Sequence, residues 1–271
     1  MSSKVVVLLQ ARFTSTRFPG KVLAPFCGMP MLVYQVRRFQ QAGWLVGMLC
    51  PRGDNALLAL RKEGLPVHQV HGNEEDVLGR YARYTRTMLR EGTVIVRGCS
   101  DSPLLCPYLL RDIIAYWQGT SDLAYLGMGS GWPDGLGDFD VFTREALLQA
   151  DVGTTLASDR EHVGPAFWKY PEQYAQILFP PPNWVRDRQW PKLSVDTPED
   201  LAYVEAVARI TTQAYGEAFT WEQVLNAVGA HTNLQQHYEP MNAAYVAQVA
   251  QERGDRERGW DEERYGGREH E

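Results

Sequence analysis

An apolar run followed directly by a cationic loop, near the start of the chain, most constrains how this sequence can fold. Val5–Leu9 is uninterrupted apolar sequence, which predicts a strand buried on both faces. The loop after it carries Arg12, Arg17 and Lys21, and a helix is predicted from about Pro30. A strand, a polar loop and a helix in this order are typical of α/β proteins that hold a phosphorylated ligand at the carboxyl end of the sheet.

Apolar segments of strand length alternate with helical patterns along most of the chain. Beyond the first strand, the predicted strands are Trp44–Cys50, Val67–Val70, Thr93–Arg97, Asp122–Leu126, Phe139–Phe142, Tyr174–Phe179 and Lys192–Val195. Helices are predicted at Asp54–Glu63, Glu74–Arg90, Pro107–Trp117, Thr143–Ala150 and Ser158–Trp168, and from Thr197, Trp221 and Pro240. This alternation is typical of a largely parallel sheet covered by helices.

The last part of the chain differs from the rest in composition. Residues 251–271 alternate charged residues with glycine and contain almost no apolar side chains. Such a segment cannot bury enough surface to offset the entropy lost on ordering, so we predict a disordered tail. Residues 1–250 are predicted to form a single α/β domain, a size at which a substantial core can be buried.

Charge and cysteine content exclude several classes of protein. The net charge of -6 gives no general affinity for nucleic acid or for an anionic membrane, so neither is an expected partner. The four cysteines are scattered without a CxxC pair, which favours reduced thiols over a disulfide framework or a structural zinc site. No apolar run approaches membrane-spanning length and the first residues lack a signal segment, so a cytoplasmic location is expected.

The segment from Arg12 to Lys21, called the cationic loop below, has the donors needed to bind phosphates. The guanidinium groups of Arg12 and Arg17 and the Lys21 ammonium can approach phosphate oxygens from different directions, and Ser15 adds a neutral donor. The same residues could equally form a solvated basic loop. Neither GxxxxGKS/T nor GxGxxG occurs there, which disfavours an ATPase P-loop and a dinucleotide site.

Two aspartates, Asp101 and Asp196, each follow a predicted strand. Because the carboxyl ends of parallel strands meet at one edge of a sheet, these two distant residues can come together there. Two carboxylates beside a triphosphate would bind Mg²⁺, which takes few protein ligands and keeps several waters. Taken singly, Asp101 equally fits a turn before Ser102-Pro103, and Asp196 fits the entry to a helix capped by Thr197. The pairing favours the metal role.

A third group of polar residues lies in the middle of the chain. It comprises Asp134, Asp138 and Asp140 in a Gly- and Pro-rich segment, followed by Arg160, Glu161 and His162. The aspartates could hold the hydroxyls of an acceptor or a second cation, and His162 could act as an acid/base or anchor a substrate. A Pro-Asp-Gly turn explains the first three residues as well, and a lone helical histidine is more often structural.

Taken in order, these segments resemble a known family. Residues 10–12 and 15–21 (Gln-Ala-Arg and Ser-Thr-Arg-Phe-Pro-Gly-Lys) resemble the nucleotide-binding loop of CMP-sugar synthetases, which include CMP-KDO synthetase and the acylneuraminate cytidylyltransferases. The rest of the chain is most similar to the spore coat polysaccharide cytidylyltransferase branch. The supporting segments are Asn73–Tyr81, Val96-Arg97 with Asp101–Leu104, Pro133–Leu136, Arg160–Val163 and Val195–Asp200.

The resemblance implies a Rossmann-like, GT-A-like nucleotidyltransferase fold with a mostly parallel central sheet covered by helices. It implies transfer of CMP from CTP to a small-molecule acceptor with release of pyrophosphate, and Mg²⁺ as the cofactor. The implied nucleotide-binding residues are Leu9, Gln10, Ala11, Arg12, Ser15, Arg17, Lys21 and Arg97. Arg12, Arg17 and Lys21 are also implied to be catalytic, together with Asp101 and Asp196 as metal ligands. The acceptor would lie against Asp134, Asp138, Asp140, Arg160, Glu161 and His162.

The acceptor is expected to be an acidic sugar, a phosphate or a phosphonate, because an acidic nucleophile needs little help from a base. Two other functions stay open on the sequence. Asp138-Phe139-Asp140 has the Asp-x-Asp form common in glycosyltransferases that use a nucleotide-sugar donor. The second alternative function is that of a non-catalytic nucleotide-binding module, although the retained Asp101 and Asp196 argue against it. Dimerisation is common among the relatives, so a homodimer is one expected assembly.

Overall fold

A seven-stranded sheet organises residues 4–15 and 17–231, the part of the chain that the computed structural model describes. The strands are, in chain order, β1 (Val5–Gln10), β2 (Pro25–Phe26), β3 (Met29–Pro30), β4 (Val46–Pro51), β5 (Val67–Val70), β6 (Val94–Cys99), β7 (Tyr125–Met128), β8 (Phe139–Thr143) and β9 (Gln176–Phe179). β2 and β3 form a separate antiparallel pair. The other seven strands lie side by side in the order β5-β4-β1-β6-β8-β7-β9.

Six strands of the large sheet run in one direction, and β8 runs against them. β1 is parallel to β4 on one side and to β6 on the other, β5 is parallel to β4, and β9 is parallel to β7. β8 is antiparallel to both of its neighbours, and its register places Asp140 opposite Arg97 of β6. The prediction of a mostly parallel central sheet is confirmed.

Helices cover the sheet. They are α1 (Met31–Gln41), α2 (Asn55–Ala59), α3 (Val77–Met88), α4 (Leu109–Gly119), α5 (Arg144–Gly153), α6 (Ala157–His162), α7 (Pro165–Trp168), α8 (Asn183–Arg186), α9 (Pro198–Tyr215) and α10 (Trp221–Ala230), with 3₁₀ turns at Lys21–Leu23 and Leu60–Glu63. α9 begins as its sequence predicts, with Thr197 as the N-cap, Pro198 at the first position and Asp200 completing a capping box. Within residues 4–15 and 17–231, no helix combines the length and apolar character needed to cross a membrane.

The core lies on both faces of the sheet, because side chains of a strand point alternately to opposite faces. On β1, Val7 and Leu9 join a cluster that contains residues of α1, α4, α9 and α10. Val6 and Leu8 join a second cluster with residues of α3 and α5. This two-sided burial explains why β1 is an unbroken apolar run rather than an alternating one.

Several predicted elements differ from the structure. The strand predicted at Asp122–Leu126 begins later, as β7, and the helix predicted at Asp54–Glu63 is α2 followed by a 3₁₀ turn. The strand predicted at Lys192–Val195 is wrong: the backbone amides of Leu193 and Val195 donate to the carbonyls of Asp134 and Asp101, which lie in loops, so the segment joins no sheet. The helix predicted at Ser158–Trp168 is two helices, because the chain turns sharply at Val163 between α6 and α7. The helix predicted from Pro240 and the tail 251–271 lie outside the described residues.

Phe167 of α7 is central to the second cluster. Its fully buried ring stacks on Tyr125 with centroids 4.8 Å apart and on Phe142 at 5.4 Å. We expect Phe167→Ala to lower the free energy of unfolding by about 3–5 kcal/mol, because loss of the ring leaves a cavity and removes both stacking contacts. Denaturant unfolding measures this, with Val152→Ala as the control, because Val152 is 80% exposed. Equal effects of the two substitutions would contradict the assigned packing.

Candidate active site

The cationic loop leaves the carboxyl end of β1 and closes on itself. The carbonyl of Phe13 accepts hydrogen bonds from the amides of Ser15 (3.0 Å) and Gly20 (2.9 Å). The amide of Phe13 donates to Asp54 Oδ2 at 2.9 Å, and Asp54 is also the N-cap of α2. Gly20 has a φ of +74°, and a β carbon there would lie 3.0 Å from the Phe13 ring. The loop is therefore anchored to the neighbouring strand-end segment after β4.

Lys21 brings the two predicted aspartates together. Its Nζ lies 3.0 Å from Asp101 Oδ2, 3.1 Å from Asp196 Oδ1 and 2.7 Å from the carbonyl of Val195. Arg17 Nη2 is 3.0 Å from the same Asp196 oxygen. Lys21 is buried, whereas the Asp101 side chain is 34% exposed and the Arg17 side chain 63%. The loop after β1 and two carboxylates from distant parts of the chain thus meet at one edge of the sheet.

A second lysine, Lys192, holds the other oxygen of Asp196, and the sequence reasoning missed it. Its Nζ lies 3.0 Å from Asp196 Oδ2, 2.9 Å from Asp200 Oδ2 and 3.2 Å from the carbonyl of Ser194. Asp200 also accepts from the amides of Asp196 and Thr197. The available signal was a lysine in a buried apolar segment four residues before Asp196. Such a cation needs a carboxylate partner.

The lysines set the ionisation of this cluster. Burial acts to raise the pKa of Asp196, but the charges of Lys21 and Lys192 outweigh it and hold that pKa below the ordinary value of 3.8. Burial acts to lower the pKa of Lys192, but its hydrogen bond to Asp200 and the charge of Asp196 outweigh it and raise that pKa above 10.5. Asp196 is therefore a carboxylate, and Lys192 an ammonium, at neutral pH.

A row of polar groups crosses four neighbouring strands just below this edge. Arg97 on β6 donates through Nε to Gln10 Oε1 of β1 at 2.9 Å and through Nη1 to Asp140 Oδ2 of β8 at 2.6 Å. The hydroxyl of Tyr125 on β7 donates to Asp140 Oδ1 at 2.6 Å. Gln10, Arg97 and Asp140 were predicted to bind substrates. In the structure, the Arg97 side chain instead binds those of Gln10 and Asp140, and Arg97 is buried.

Asp134 and Asp138 lie in the turn that precedes β8. Asp134 accepts from the amide of Ser194 at 2.9 Å, and Asp138 accepts from the amide of Gly135 at 2.7 Å. Gly135 has a φ of +81°, and a β carbon there would lie 2.3 Å from the carbonyl carbon of Leu193. The turn is therefore packed directly against the extended segment that leads to Asp196.

Of the three residues predicted on α6, Glu161 reaches the cationic loop. Its Oε1 lies 3.7 Å from Arg12 Nη2, and both side chains are 40% exposed. Arg160 instead binds Asp76 and Asp151, at 2.8 and 2.7 Å, and so ties α6 to α3 and α5. His162 is exposed at the end of α6.

The turn after His162 is strained. Val163 has φ 64° and ψ -58°, and the amide of Gly164 donates to the carbonyl of His162 at 2.8 Å, which defines a γ-turn. A β-branched residue avoids positive φ, and such strain concentrates at functional sites. A β carbon on Gly164 would lie 3.3 Å from Asp140 Oδ1, so this turn rests on the polar row beneath it.

The remaining predicted residues lie along the end of β1. The side chains of Leu9 and Ala11 are buried in the core, so only their backbone can face a ligand, and Ser15 is half-buried in the loop. Sequence reasoning gave no role to Glu74, whose carboxylate accepts from the Thr14 hydroxyl while its carbonyl accepts from Arg80. These contacts tie the cationic loop to the segment that starts α3.

A cationic loop at the end of the central strand, facing a carboxylate pair at the same sheet edge, defines a phosphate-handling α/β enzyme of the nucleotidyltransferase class. The profile of the Cytidylyltransferase family matches residues 6–223, and the chain belongs to that family. It is 29% identical over 216 residues to the spore coat polysaccharide biosynthesis protein SpsF of Bacillus subtilis, covering 75% of this chain and 85% of that protein. The predicted family and enzyme class are confirmed.

Two solved structures share the fold. A cytidylyltransferase from Leptospira borgpetersenii superposes with a TM-score of 0.74 at 24% identity, covering 85% of this chain and 96% of that one. CMP:2-keto-3-deoxy-manno-octonic acid synthetase complexed with CTP superposes with a TM-score of 0.57 at 14% identity, covering 76% and 98%. The predicted nucleotidyltransferase fold is confirmed.

The lowered pKa of Asp196 predicts an acid-dependent loss of stability. The stabilisation from its carboxylate is complete above the unfolded pKa, near 3.8, and is lost as pH falls through the lower folded pKa. We expect Asp196→Asn to reduce the dependence of the free energy of unfolding on pH between about pH 5 and pH 2. Urea unfolding across that range measures it, with the exposed Glu199→Gln as control. Parallel pH profiles for Asp196→Asn and the unsubstituted protein would refute this assignment.

Proposed function

We propose that this enzyme transfers CMP from CTP to an acidic small-molecule acceptor, with release of pyrophosphate. One observation carries the proposal: Asp101 and Asp196 both lie within 3.1 Å of Lys21 Nζ, at the end of the strand that feeds the cationic loop. Membership of the Cytidylyltransferase family supports CTP as the nucleotide.

The exposed arginines of the loop provide the phosphate-binding groups. Arg17 and Arg12 have side chains that are 63% and 40% exposed, so their guanidinium groups can meet phosphate oxygens through the nitrogens that do not face Asp196 and Glu161. Lys21 is fixed beneath them by its two carboxylates. Cations held in place before the reaction stabilise the charge that develops on departing pyrophosphate without further reorganisation. The base and ribose would lie along the backbone of residues 9–11, whose position is fixed by the Gln10–Arg97 hydrogen bond.

Asp101 and Asp196 are the residues that would hold Mg²⁺. Two carboxylates, of which Asp101 is 34% exposed, fit an ion that takes one or two protein carboxylates together with substrate phosphates and waters. When bound, the ion would neutralise phosphate charge and polarise the α-phosphate. Lys21 and Lys192 keep Asp196 ionised and aimed at this edge, so the carboxylate pair is ready before the nucleotide arrives.

The acceptor would enter between the cationic loop and α6, because Glu161 spans that gap to Arg12. An acceptor oxygen forms a bond to the α-phosphorus while the bond from that phosphorus to the bridging oxygen of the β-phosphate breaks. A phosphate or phosphonate acceptor attacks through an oxygen that is already ionised, so no proton has to be removed. A sugar acid attacks through a hydroxyl, whose proton passes to water as the bond to phosphorus forms. His162 and Glu161 are proposed to orient it, with the turn of Asp134 and Asp138 forming the wall beside Asp196.

A glycosyltransferase is disfavoured relative to this proposal. Its Asp-x-Asp candidate is Asp138-Phe139-Asp140, but Asp138 accepts from the Gly135 amide, and both oxygens of Asp140 bind Arg97 and Tyr125. Asp140 is thus engaged on both oxygens, as Asp196 is, but neither Asp138 nor Asp140 has beside it a carboxylate like Asp101, whose ion-pair partner among the described residues is Lys21 and whose side chain is 34% exposed. Family membership favours a cytidylyltransferase over a glycosyltransferase and over a non-catalytic nucleotide-binding module.

A panel of four nucleoside triphosphates against sugar-acid, phosphate and phosphonate acceptors tests the reaction. We expect pyrophosphate release with CTP and an acidic acceptor, dependent on Mg²⁺, and little release with the other nucleotides. The neutral analogue of each acceptor serves as the matched control. Release of pyrophosphate from another nucleotide in preference to CTP would overturn the base assignment, and efficient use of neutral acceptors would overturn the acceptor class.

Substitution at the cationic loop tests the phosphate role separately. We expect Arg17→Ala to weaken CTP binding by about 10- to 100-fold, as expected for losing a charge-assisted hydrogen bond of about 1.5–3 kcal/mol. Isothermal titration with Mg²⁺ present measures this, with the exposed Lys62→Ala as control. Unchanged CTP affinity in Arg17→Ala would count against the assignment.

A further inference from the structure

We propose a second anion site, distant from the carboxylate pair, that binds a small phosphate monoester such as a sugar phosphate. It is an open cavity of about 380 Å³ between the edge strand β5 and the flank of α3. β5 is two strands away from β1 in the sheet, and none of the residues that line the cavity belongs to the cationic loop or to the Asp101–Asp196 pair.

The charge of this edge cavity is unusual for the protein that carries it. Its lining includes Arg61, Arg83 and Arg86 together with His68 and His71, and none of its lining residues is acidic. The whole chain has a net charge of -6. Arg61 comes from the 3₁₀ turn at Leu60–Glu63, whereas Arg83 and Arg86 come from α3, so two separate elements direct cations into one space.

The arginines have hydrogen-bonding capacity that the described protein does not use. Arg83 donates to Asp76, and its side chain is 33% exposed; its Nε has no partner in the described part of the chain but is buried, so a ligand would meet its Nη nitrogens. Arg61 donates through Nε to the carbonyl of Val67, and no carboxylate among the described residues lies within 4.0 Å of its guanidinium. Arg86 meets Asp151 at 3.3 Å with its side chain 51% exposed. A phosphate has several acceptor oxygens for such donors.

The rest of the wall fits a carbon skeleton rather than bare phosphate. Val70, Met88 and the ring of Tyr84 line the cavity beside the cations. Met88 is 59% exposed, and Tyr84 is held against His68, with ring centroids 4.9 Å apart. A volume of about 380 Å³ lies in the range of small-molecule sites, well above the size of a lone inorganic ion. A lining that combines cations with apolar surface matches a phosphate monoester.

His68 provides a reporter inside the cavity. Burial and the charge of Arg61 both lower the pKa of this imidazole, and the groups that face it are Arg61 and the hydroxyl of Tyr84. A phosphate dianion bound beside His68 would favour the imidazolium. The signal of His68 therefore reports on the cavity, and not on the carboxylate pair.

The test is a titration of the full chain with ribose 5-phosphate, inorganic phosphate and ribose, followed by the imidazole resonance of His68 and by calorimetry. It uses the Arg12→Ala/Arg17→Ala protein, which lacks the exposed cations of the candidate active site, so its outcome does not depend on the proposed reaction. We expect saturable binding of ribose 5-phosphate with a rise in the pKa of His68, weaker binding of inorganic phosphate and none of ribose.

Removing the cavity cations supplies the decisive comparison. We expect Arg61→Gln/Arg86→Gln to weaken ribose 5-phosphate binding at least 10-fold, and the exposed Arg90→Gln, just beyond α3, to leave it unchanged. Thr87→Glu, which adds an acid at the cavity without removing an arginine, should weaken binding too. Non-saturable shifts, equal binding of inorganic phosphate and ribose 5-phosphate, or unaltered affinity in both cavity variants would overturn the proposal.

Discussion

The Lys21 ammonium is the interaction on which the rest of the site depends. It is buried between Asp101 and Asp196 and also donates to the Val195 carbonyl, so one group joins the end of β1, the end of β6 and the segment before α9. At such a short separation, the two carboxylates would repel each other if no cation lay between them. Lys192 secures the far side of Asp196, which leaves that carboxylate with little freedom to turn away from the edge.

A row of hydrogen-bonded polar side chains lies directly below the Lys21 cluster. Gln10, Arg97, Asp140 and Tyr125 link β1, β6, β8 and β7 through hydrogen bonds of 2.6–2.9 Å. Buried charges held in a satisfied network stiffen their surroundings, because moving any one of them leaves another unpaired. The strained turn at Val163 rests on this row. Rigid support beneath a strained turn is how an active site keeps a costly conformation in place.

Much of the fold could be predicted from periodicity and from capping residues. β1 and the Thr197-capped start of α9 lie where their sequences place them. Asp101 lies just past the end of β6, as strand-end logic predicts. Asp196 reaches the same edge although the strand predicted before it does not form, because the amide of Val195 donates to the carbonyl of Asp101.

The features that the sequence did not predict are those set by contacts between segments far apart in the chain. The segment Lys192–Val195 has the composition of a strand, but its amides bond to the loops of Asp134 and Asp101 instead of a ladder. The burial of Arg97 against Asp140 depends on the reversed direction of β8, which the sequence of β8 alone does not reveal. The edge cavity joins residues of three elements, so no local motif marks it.

The reversed direction of β8 has a consequence for how such enzymes diversify. β7 ends, and β8 begins, at the same edge of the sheet that carries the carboxylate pair, so residues 129–138 form a hairpin connection lying wholly at that edge. A connection anchored at both ends by paired strands can change in length or composition while the strands keep their register. Under the proposed function, substitutions in this hairpin outside the packed Asp134–Asp138 turn would change the acceptor while leaving the cationic loop intact. One nucleotide chemistry would then be retained as acceptors diverge.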